Sequence, residues 1–150
     1  MSPSGEAGKR RLATVALVVR DYDEAIAWYG DKLGFALAED VDLGGGKRWV
    51  TVTPGNFGGA RLLLAKSEDE RQASRIGDQT GGRVFLLLET DDFSRDHTAM
   101  LAKGVEFREE PRSEAYGTVA VVFDLYGNLW DLLEPKRQLS RSLKQSSRSP

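Results

Sequence analysis

The sequence predicts an α+β protein made of two tandem β-α-β-β-β units. Residues 12–66 contain a strand pattern, a capped helix pattern and three further strand patterns, in that order. A charged and then glycine-rich stretch, residues 67–82, precedes residues 83–135, in which the same order restarts. The signals that begin and end the helix recur with the same spacing in both halves. We therefore expect an internal repeat.

Each unit is predicted to have one helix that begins after an aspartate and ends at a glycine. Asp21 lies 13 residues before Gly34, and Asp91 lies 13 residues before Gly104. An aspartate side chain accepts hydrogen bonds from the free amides of a first helical turn, and glycine commonly ends a helix. Apolar residues recur at three- and four-residue spacing over residues 22–33, which indicates one buried helix face. The second helix is capped by Asp91 or by the aspartate that follows it.

The strands are predicted from β-branched and apolar runs. Such side chains suit a pleated surface, and their alternation assigns successive residues to opposite faces. The predicted strands are 12–19, 35–42, 47–53 and 60–65 in the first unit, and 84–90, 105–110, 115–124 and 129–134 in the second. The stretch 67–82 has no strong period and is predicted to be a linker with a short helical turn.

The last turn and last strand raise the functional question. Tyr126-Gly127-Asn128 is predicted to form the turn, because glycine and asparagine tolerate positive φ. In the strand that follows, Asp131 is a lone carboxylate between Leu129 and Leu133 on one face. Such a carboxylate must be solvated, paired or bound to a metal, because burying it bare is costly.

Composition excludes several kinds of site. The chain has 150 residues, of which 40% are hydrophobic and 29% charged, as in an ordinary globular protein. It has no cysteine, which excludes thiol nucleophiles, disulfides and zinc thiolate sites. The single histidine, His97, is predicted to be a solvated residue of the second helix.

With no run of about 18 apolar residues and no signal sequence in residues 1–11, a soluble, cytoplasmic protein is expected.

Charge is distributed unevenly along the chain. The net charge is −2, but residues 136–150 contain five basic residues and no acidic residue. Residues 1–135 therefore carry 16 basic and 23 acidic residues, a net charge of −7. An acidic body argues against nucleic acid as a partner. The head, residues 1–11, and the serine-rich tail are predicted to be disordered.

Two segments carry a resemblance to a known family. They are Val18-Val-Arg-Asp-Tyr-Asp-Glu-Ala-Ile-Ala-Trp-Tyr29, followed by Leu33-Gly-Phe35, and Phe123-Asp-Leu-Tyr-Gly-Asn-Leu-Trp-Asp131. With the tandem order of elements, residues 12–134 resemble the vicinal oxygen chelate superfamily, also called the glyoxalase/bleomycin-resistance/dioxygenase superfamily. Its usual Asp-Pro-Asp-Gly turn is Asp124-Leu-Tyr-Gly127 here. The resemblance implies a curved mixed sheet around a cavity, and a homodimer.

The resemblance also implies where a metal ion would be held. Enzymatic members place a His on the first strand, a Glu on the fourth, a His or Glu on the fifth and a Glu on the last. The corresponding positions here are Thr14, Leu63, Phe85 (or its neighbour Val84) and Asp131. Leucine and phenylalanine have no ligand atom, and a divalent ion needs about three protein ligands. We therefore expect neither a metal nor another cofactor.

Seven residues are candidate ligand contacts, because the resemblance or strand alternation directs them toward the cavity. They are Thr14, Trp49, Arg61, Leu63, Phe85, Tyr116 and Asp131. Arg61 is also a candidate ion-pair partner of Asp131. Counting by twos from Phe85 puts Glu89 on the same face, and a close Glu89–Asp131 pair would form a proton-transfer group, so both are candidate catalytic residues.

The resemblance implies a small-molecule-binding protein. Bleomycin-resistance proteins sequester a drug in an aromatic-lined cleft at a dimer interface, without chemistry, and this is the favoured hypothesis. Two enzyme hypotheses stay open. One is a glyoxalase-like metal-dependent lyase or isomerase, or a dioxygenase, with ligands at other positions. The other is a metal-free acid–base enzyme that uses Glu89 and Asp131. A structural dimer with a filled cavity is a further alternative.

Overall fold

The computed structural model describes residues 8–55 and 58–136, and the predicted order of elements is confirmed. The predictions of a disordered head and tail lie almost entirely outside these residues. The elements are β1 (Thr14–Val19), α1 (Tyr22–Leu33), β2 (Ala36–Gly44), β3 (Lys47–Thr53), β4 (Arg61–Lys66), α2 (Glu70–Ala73), β5 (Val84–Glu89), α3 (Phe93–Ala102), β6 (Arg112–Glu114), β7 (Gly117–Phe123) and β8 (Leu129–Pro135).

Each unit forms its own four-stranded mixed sheet. The strand order is β1-β4-β3-β2 in the first sheet and β5-β8-β7-β6 in the second. The pairs β1–β4 and β5–β8 are parallel, and the other neighbours are antiparallel. Because both sheets share one strand order and one set of directions, the structure confirms the internal repeat.

Both long helices begin at an aspartate cap, but the second cap lies one residue later than the matched spacing of the two halves predicts. The side chain of Asp21 accepts a hydrogen bond from the amide of Glu24 at 2.8 Å. In α3 the cap is Asp92 rather than Asp91, because the Asp92 side chain accepts from the amide of Arg95 at 3.0 Å. The helices have 12 and 10 residues, respectively. No helix in the described part of the chain is long and apolar enough to cross a membrane.

The sixth strand differs most from its prediction. Residues 105–110 contribute one isolated bridge, from Phe107 to Val122, and β6 lies further along the chain at Arg112–Glu114. Pro111 explains the shift, because a proline has no amide hydrogen to donate to a neighbouring strand. The pairing of this segment with β7 therefore resumes only after the proline.

One hydrophobic core joins the two units. The ring of Tyr29 in α1 lies 6.0 Å from the ring of Trp130 in β8, centroid to centroid. At the ends of the two helices, Lys32 Nζ donates to the carbonyl oxygen of Lys103 at 2.7 Å, and Lys103 Nζ donates to the carbonyl oxygen of Asp31 at 2.6 Å. The helical sides of the two units therefore pack together, and the opposite sheet faces point away from this core.

The loop between β7 and β8 closes around the buried side chain of Asp124, which is 6% exposed. Its carboxylate accepts hydrogen bonds from the hydroxyl of Tyr29 at 2.7 Å, the amide of Tyr126 at 3.0 Å, and the main-chain and side-chain amides of Asn128 at 2.8 and 3.0 Å. Gly127 has the positive φ that the turn prediction requires, 96°. Asn128 does not have a positive φ. It stabilises the loop instead through the hydrogen bond from its side-chain amide to Asp124.

The connection between the units, residues 67–82, packs against this loop. Its predicted helical turn is present as α2, Glu70–Ala73. The side chain of Gln79 accepts from the amide of Val18 in β1 at 3.0 Å, and its own amide donates to Oδ1 of Asn128 at 3.1 Å. The connection therefore ties the first strand to the last turn.

Candidate functional site

The first sheet has one face on the core and a second face, called here its open face, that points away. The open face of the first sheet is formed by Thr14, Glu39, Val41, Trp49, Thr51, Arg61 and Leu63, which the register of the four strands places together. Trp49 is 39% exposed and Val41 is 50% exposed. Four of the seven predicted ligand contacts therefore lie on one surface.

Glu39 organises this surface. Its Oε1 atom accepts hydrogen bonds from Trp49 Nε1 at 3.2 Å, Thr51 Oγ1 at 3.0 Å and Arg61 Nη1 at 3.0 Å. These contacts, and first the one from Trp49, lower the pKa of the Glu39 carboxyl below its ordinary value. The ionised carboxylate thus holds an indole, a hydroxyl and a guanidinium in fixed positions.

Glu39 is absent from the predicted contacts because a bulge conceals its orientation. Counting by twos from the buried Phe35 assigns Leu37 and Glu39 to the core side of β2. The register of β2 against β3 shifts between Leu37 and Glu39. Such a shift reverses the face to which the following side chains point. Glu39 therefore lies opposite Thr51, on the open face.

The open face of the second sheet carries Asp131. This residue lies opposite Leu87 in β5 and Val121 in β7. Its Oδ1 atom is buried and has no hydrogen-bond partner in the described part of the chain. Burial raises the pKa of the Asp131 carboxyl above its ordinary value, and the positive charge of Arg112 offsets only part of this effect. Asp131 is thus a desolvated acceptor on the side away from the core.

The predicted partners of Asp131 are elsewhere within the chain. Arg61 forms its ion pair with Glu39 at 3.0 Å. Glu89 is exposed, and no hydrogen bond or ion pair joins it to Asp131 in residues 8–55 and 58–136. The charged groups that act on the pKa of Asp131 are Arg112, Glu109 and Arg108. Neither predicted pair with Asp131 forms in the single chain.

Phe85 and Tyr116 have different surroundings. The register of β5 against β8 shifts at Phe85, so this residue leaves the alternation from which its cavity position was inferred. Its ring meets that of Trp130 edge to face at 5.9 Å and packs against the hydrophobic core. Tyr116 is 42% exposed beside the start of β7. The carboxylates of Glu109 and Glu114 raise the pKa of Arg112, and the Tyr116 hydroxyl adds to this as an acceptor.

His97 is a packing residue, and its prediction as a solvated side chain is wrong. The imidazole stacks on the ring of Phe93, with centroids 5.2 Å apart and planes 18° apart. It also meets the ring of Phe107 edge to face at 4.6 Å. The segment after α3 passes over the helix at this point and half-buries the histidine.

We expect Asp131→Asn to be more stable than the wild type at pH 7. A raised pKa means that the folded protein keeps this proton at pH values where the unfolded chain, with an aspartate pKa near 3.9, has lost it. Ionisation of Asp131 therefore lowers the free energy of unfolding as the pH rises above about 4. Urea unfolding at several pH values should show an advantage of the variant that shrinks toward pH 4. Parallel stability curves would contradict this interpretation.

Comparison with known proteins identifies the family. A family model described as the Glyoxalase/Bleomycin resistance protein/Dioxygenase superfamily matches residues 11–132. The chain belongs to this superfamily. The resemblance that the sequence motifs carry is thereby confirmed, together with the fold that it implies.

Relatives in the superfamily match nearly their whole length. An uncharacterised protein of Shewanella frigidimarina (strain NCIMB 400) is 52% identical over 127 residues, which are 84% of this chain and 94% of that protein. The crystal structure of UcmS2 has a TM-score of 0.72 and 30% identity, over 83% of this chain and 98% of that one. TnmS3, described as an antibiotic binding protein from Streptomyces sp. CB03234, has a TM-score of 0.69 and 25% identity, over 86% and 98%.

The donor atoms at the superfamily's metal positions do not fit a divalent ion. Asp131 is flanked across the sheet by Leu87 and Val121, which have no ligand atom. Within residues 8–55 and 58–136, no three His, Cys, Asp or Glu side chains come together so that they could hold a metal ion. A bound divalent ion needs about three such ligands. We therefore derive no metal chemistry from these residues.

A broad groove between the two units is separate from Asp131. It has a volume of about 1360 Å³ and opens to solvent, and residues of both units, such as Leu62 and Trp130, line it. Arg61 lines the groove as well, whereas Trp49 does not. The groove and the Glu39 surface therefore meet at Arg61.

Proposed function

We propose that this protein binds a small organic molecule on its open sheet faces and sequesters it, without a metal ion and without chemistry. The observation that carries the proposal is the open face of the first sheet, where the exposed indole of Trp49 lies beside polar groups fixed by Glu39. Aromatic surface with a few placed polar groups is the usual make-up of a small-molecule pocket. The predicted residues that lie on the open faces remain the proposed contacts: Thr14, Trp49, Arg61, Leu63 and Asp131. Tyr116, beside the start of β7, is kept with them, whereas Phe85 packs against the core and is not.

We propose further that a second copy of the chain completes the pocket. Large apolar side chains on the open faces are highly exposed: Leu87 by 62%, Val41 by 50% and Trp49 by 39%. Exposed apolar surface of this kind favours an interaction site. A homodimer in which the first sheet of one copy covers the second sheet of the other would bury these side chains and enclose Asp131.

Two findings support the binding role. The similar protein TnmS3 is described as antibiotic binding. The donor atoms near Asp131 do not form a metal-binding set among the described residues, which argues against the metal-dependent enzyme hypothesis.

A thermal-shift screen tests the proposal. The panel contains nickel, zinc and manganese salts, glycopeptide antibiotics and aromatic metabolites. We expect an aromatic compound to raise the melting temperature by roughly 5–10 °C at 100 times its Kd, because a ligand of the native state stabilises it by mass action. The metals should leave it unchanged. Trp49→Ala should weaken the organic ligand, and Asp40→Asn, on the opposite face of the same sheet, is the matched control.

Two outcomes would contradict the proposal. Stoichiometric binding of a metal that is lost in Asp131→Ala would refute the metal-free part. An organic ligand recovered chemically altered, with the alteration lost in Asp131→Asn, would favour the acid–base enzyme instead. The raised pKa of Asp131 is the observation in favour of that second candidate.

A further inference from the structure

We infer that the ligand is an uncharged, flat ring system with a hydrogen-bond donor and an acceptor side by side on one edge, and that Glu39 accepts from the donor while Arg61 donates to the acceptor. This inference rests on the proposed function. It adds the chemistry of the ligand and a contact, Glu39, that neither the motifs nor the relatives assign.

The acceptor is the second carboxylate oxygen of Glu39. All the hydrogen bonds that described residues make to the carboxylate of Glu39 end on Oε1, and none ends on Oε2. The side chain is 41% exposed, so Oε2 is accessible from the open face. The hydrogen bonds to Oε1 keep the pKa of the carboxyl low, so the open oxygen belongs to an ionised carboxylate and accepts strongly.

The donor lies beside this acceptor. Arg61 uses Nη1 to reach Glu39, and no other nitrogen of its guanidinium contacts an acceptor in the described part of the chain. A guanidinium has five N–H groups in a planar fork, so several remain free to point at a ligand. The Arg61 side chain is 48% exposed. One ion pair thus presents an open acceptor and open donors next to each other.

The flat ring follows from the third member of the cluster. The Trp49 indole donates its N–H to the oxygen that Arg61 also contacts, which fixes the indole plane next to the ion pair. Its neighbour across the strands, Val41, is small enough to leave the indole exposed. A ring stacked on Trp49 would bring its polar edge to Glu39 and Arg61.

The charges of the pair select an uncharged ligand. A carboxylate on the ligand would be attracted by Arg61 but repelled by Glu39. An ammonium group would be attracted by Glu39 but repelled by Arg61. An aryl carboxamide or a lactam offers both partners without a charge. Its N–H donates to Glu39 Oε2, and its carbonyl oxygen accepts from Arg61.

Matched naphthalene probes test this inference on the full-length protein. Naphthalene-2-carboxamide has the donor and the acceptor, and methyl naphthalene-2-carboxylate has only the acceptor. The indole N–H resonance of Trp49, assigned with Trp49→Phe, reports binding at the site in ¹H–¹⁵N spectra. We expect the amide to bind about tenfold more tightly than the ester or better, because a hydrogen bond to a charged group is lost in the ester.

Glu39→Gln separates the inference from the proposed function. The glutamine keeps the shape and replaces the open acceptor with an amide donor, so the amide probe should lose about tenfold in affinity and the ester should not. Asp40→Asn, the neighbouring acid whose partner is Arg48 on the other face, should leave both affinities unchanged. If both probes bind equally, or Glu39→Gln has no effect, the inference is overturned and small-molecule binding still stands. If neither probe shifts the Trp49 resonance, the inference fails as well, and the thermal-shift screen alone decides the proposed function.

Discussion

Replacing Asp124 by alanine should lower the free energy of unfolding by about 3–5 kcal/mol, because several buried donors lose their acceptor at once and each such loss costs about 1–3 kcal/mol. The carboxylate is 6% exposed and accepts from the hydroxyl of Tyr29 and from the main-chain and side-chain amides of Asn128. In the variant, the hydroxyl of the fully buried Tyr29 loses its partner. A urea titration followed by circular dichroism measures the loss.

Asp42→Ala is the matched control for Asp124→Ala. Asp42 also accepts from an amide two residues further on, that of Gly44 at 2.8 Å, but it is exposed to solvent. Water can replace its carboxylate, so we expect a loss below about 1 kcal/mol. Tyr29→Phe should fall between the two, at about 1–2 kcal/mol, because it removes one of the hydrogen bonds to Asp124. Similar losses in Asp124→Ala and Asp42→Ala would show that burial of the network is not what stabilises the loop.

Gly77→Ala should cost about 3 kcal/mol or more, because strain and a backbone clash occur together. Gly77 has φ of 78°, and a Cβ atom added there would lie 2.0 Å from the carbonyl oxygen of Tyr126. The obstacle is main chain, so no side chain can rotate to make room. The connection between the units would have to move away from the last turn, and chemical denaturation would report the lost stability.

Gly81→Ala isolates the contribution of backbone strain. Gly81 has a similar φ of 67°, and an added Cβ atom would meet nothing within 4 Å. We expect a cost of about 1 kcal/mol, the usual penalty for a non-glycine residue in the left-handed region. Equal costs for Gly77→Ala and Gly81→Ala would mean that the approach of the connection to Tyr126 does not matter for stability.

The order of elements could be predicted because its signals are local. Asp21 and Gly34 begin and end α1 through contacts within a few residues, and the apolar runs of β1 and β8 need no knowledge of their neighbours. The position of β6 could not be predicted in this way, because it depends on where the chain around Pro111 can pair with β7, a distant segment. Local patterns therefore fixed the helices and long strands but not the short edge strand.

The site was predictable only where the strands are regular. Trp49 and Arg61 share a face because β3 and β4 pair without a register shift. Glu39 follows a register shift, and Phe85 lies within one. A register shift moves the later side chains to the other face of the sheet, and the alternation of residue types before it does not indicate the change. The role of Asp124 was equally hidden, because its partner Tyr29 is 95 positions away in the sequence.

The exchange of lysine contacts between the helices has a consequence for how the protein unfolds. Each lysine supplies a positive charge to the carboxyl-terminal end of the other unit's helix, where the helix dipole is negative. Neither helix end is neutralised in this way unless both units are in place, and the Tyr29–Trp130 contact has the same dependence. Although the two halves repeat one fold, we therefore expect them to unfold together in a single cooperative transition.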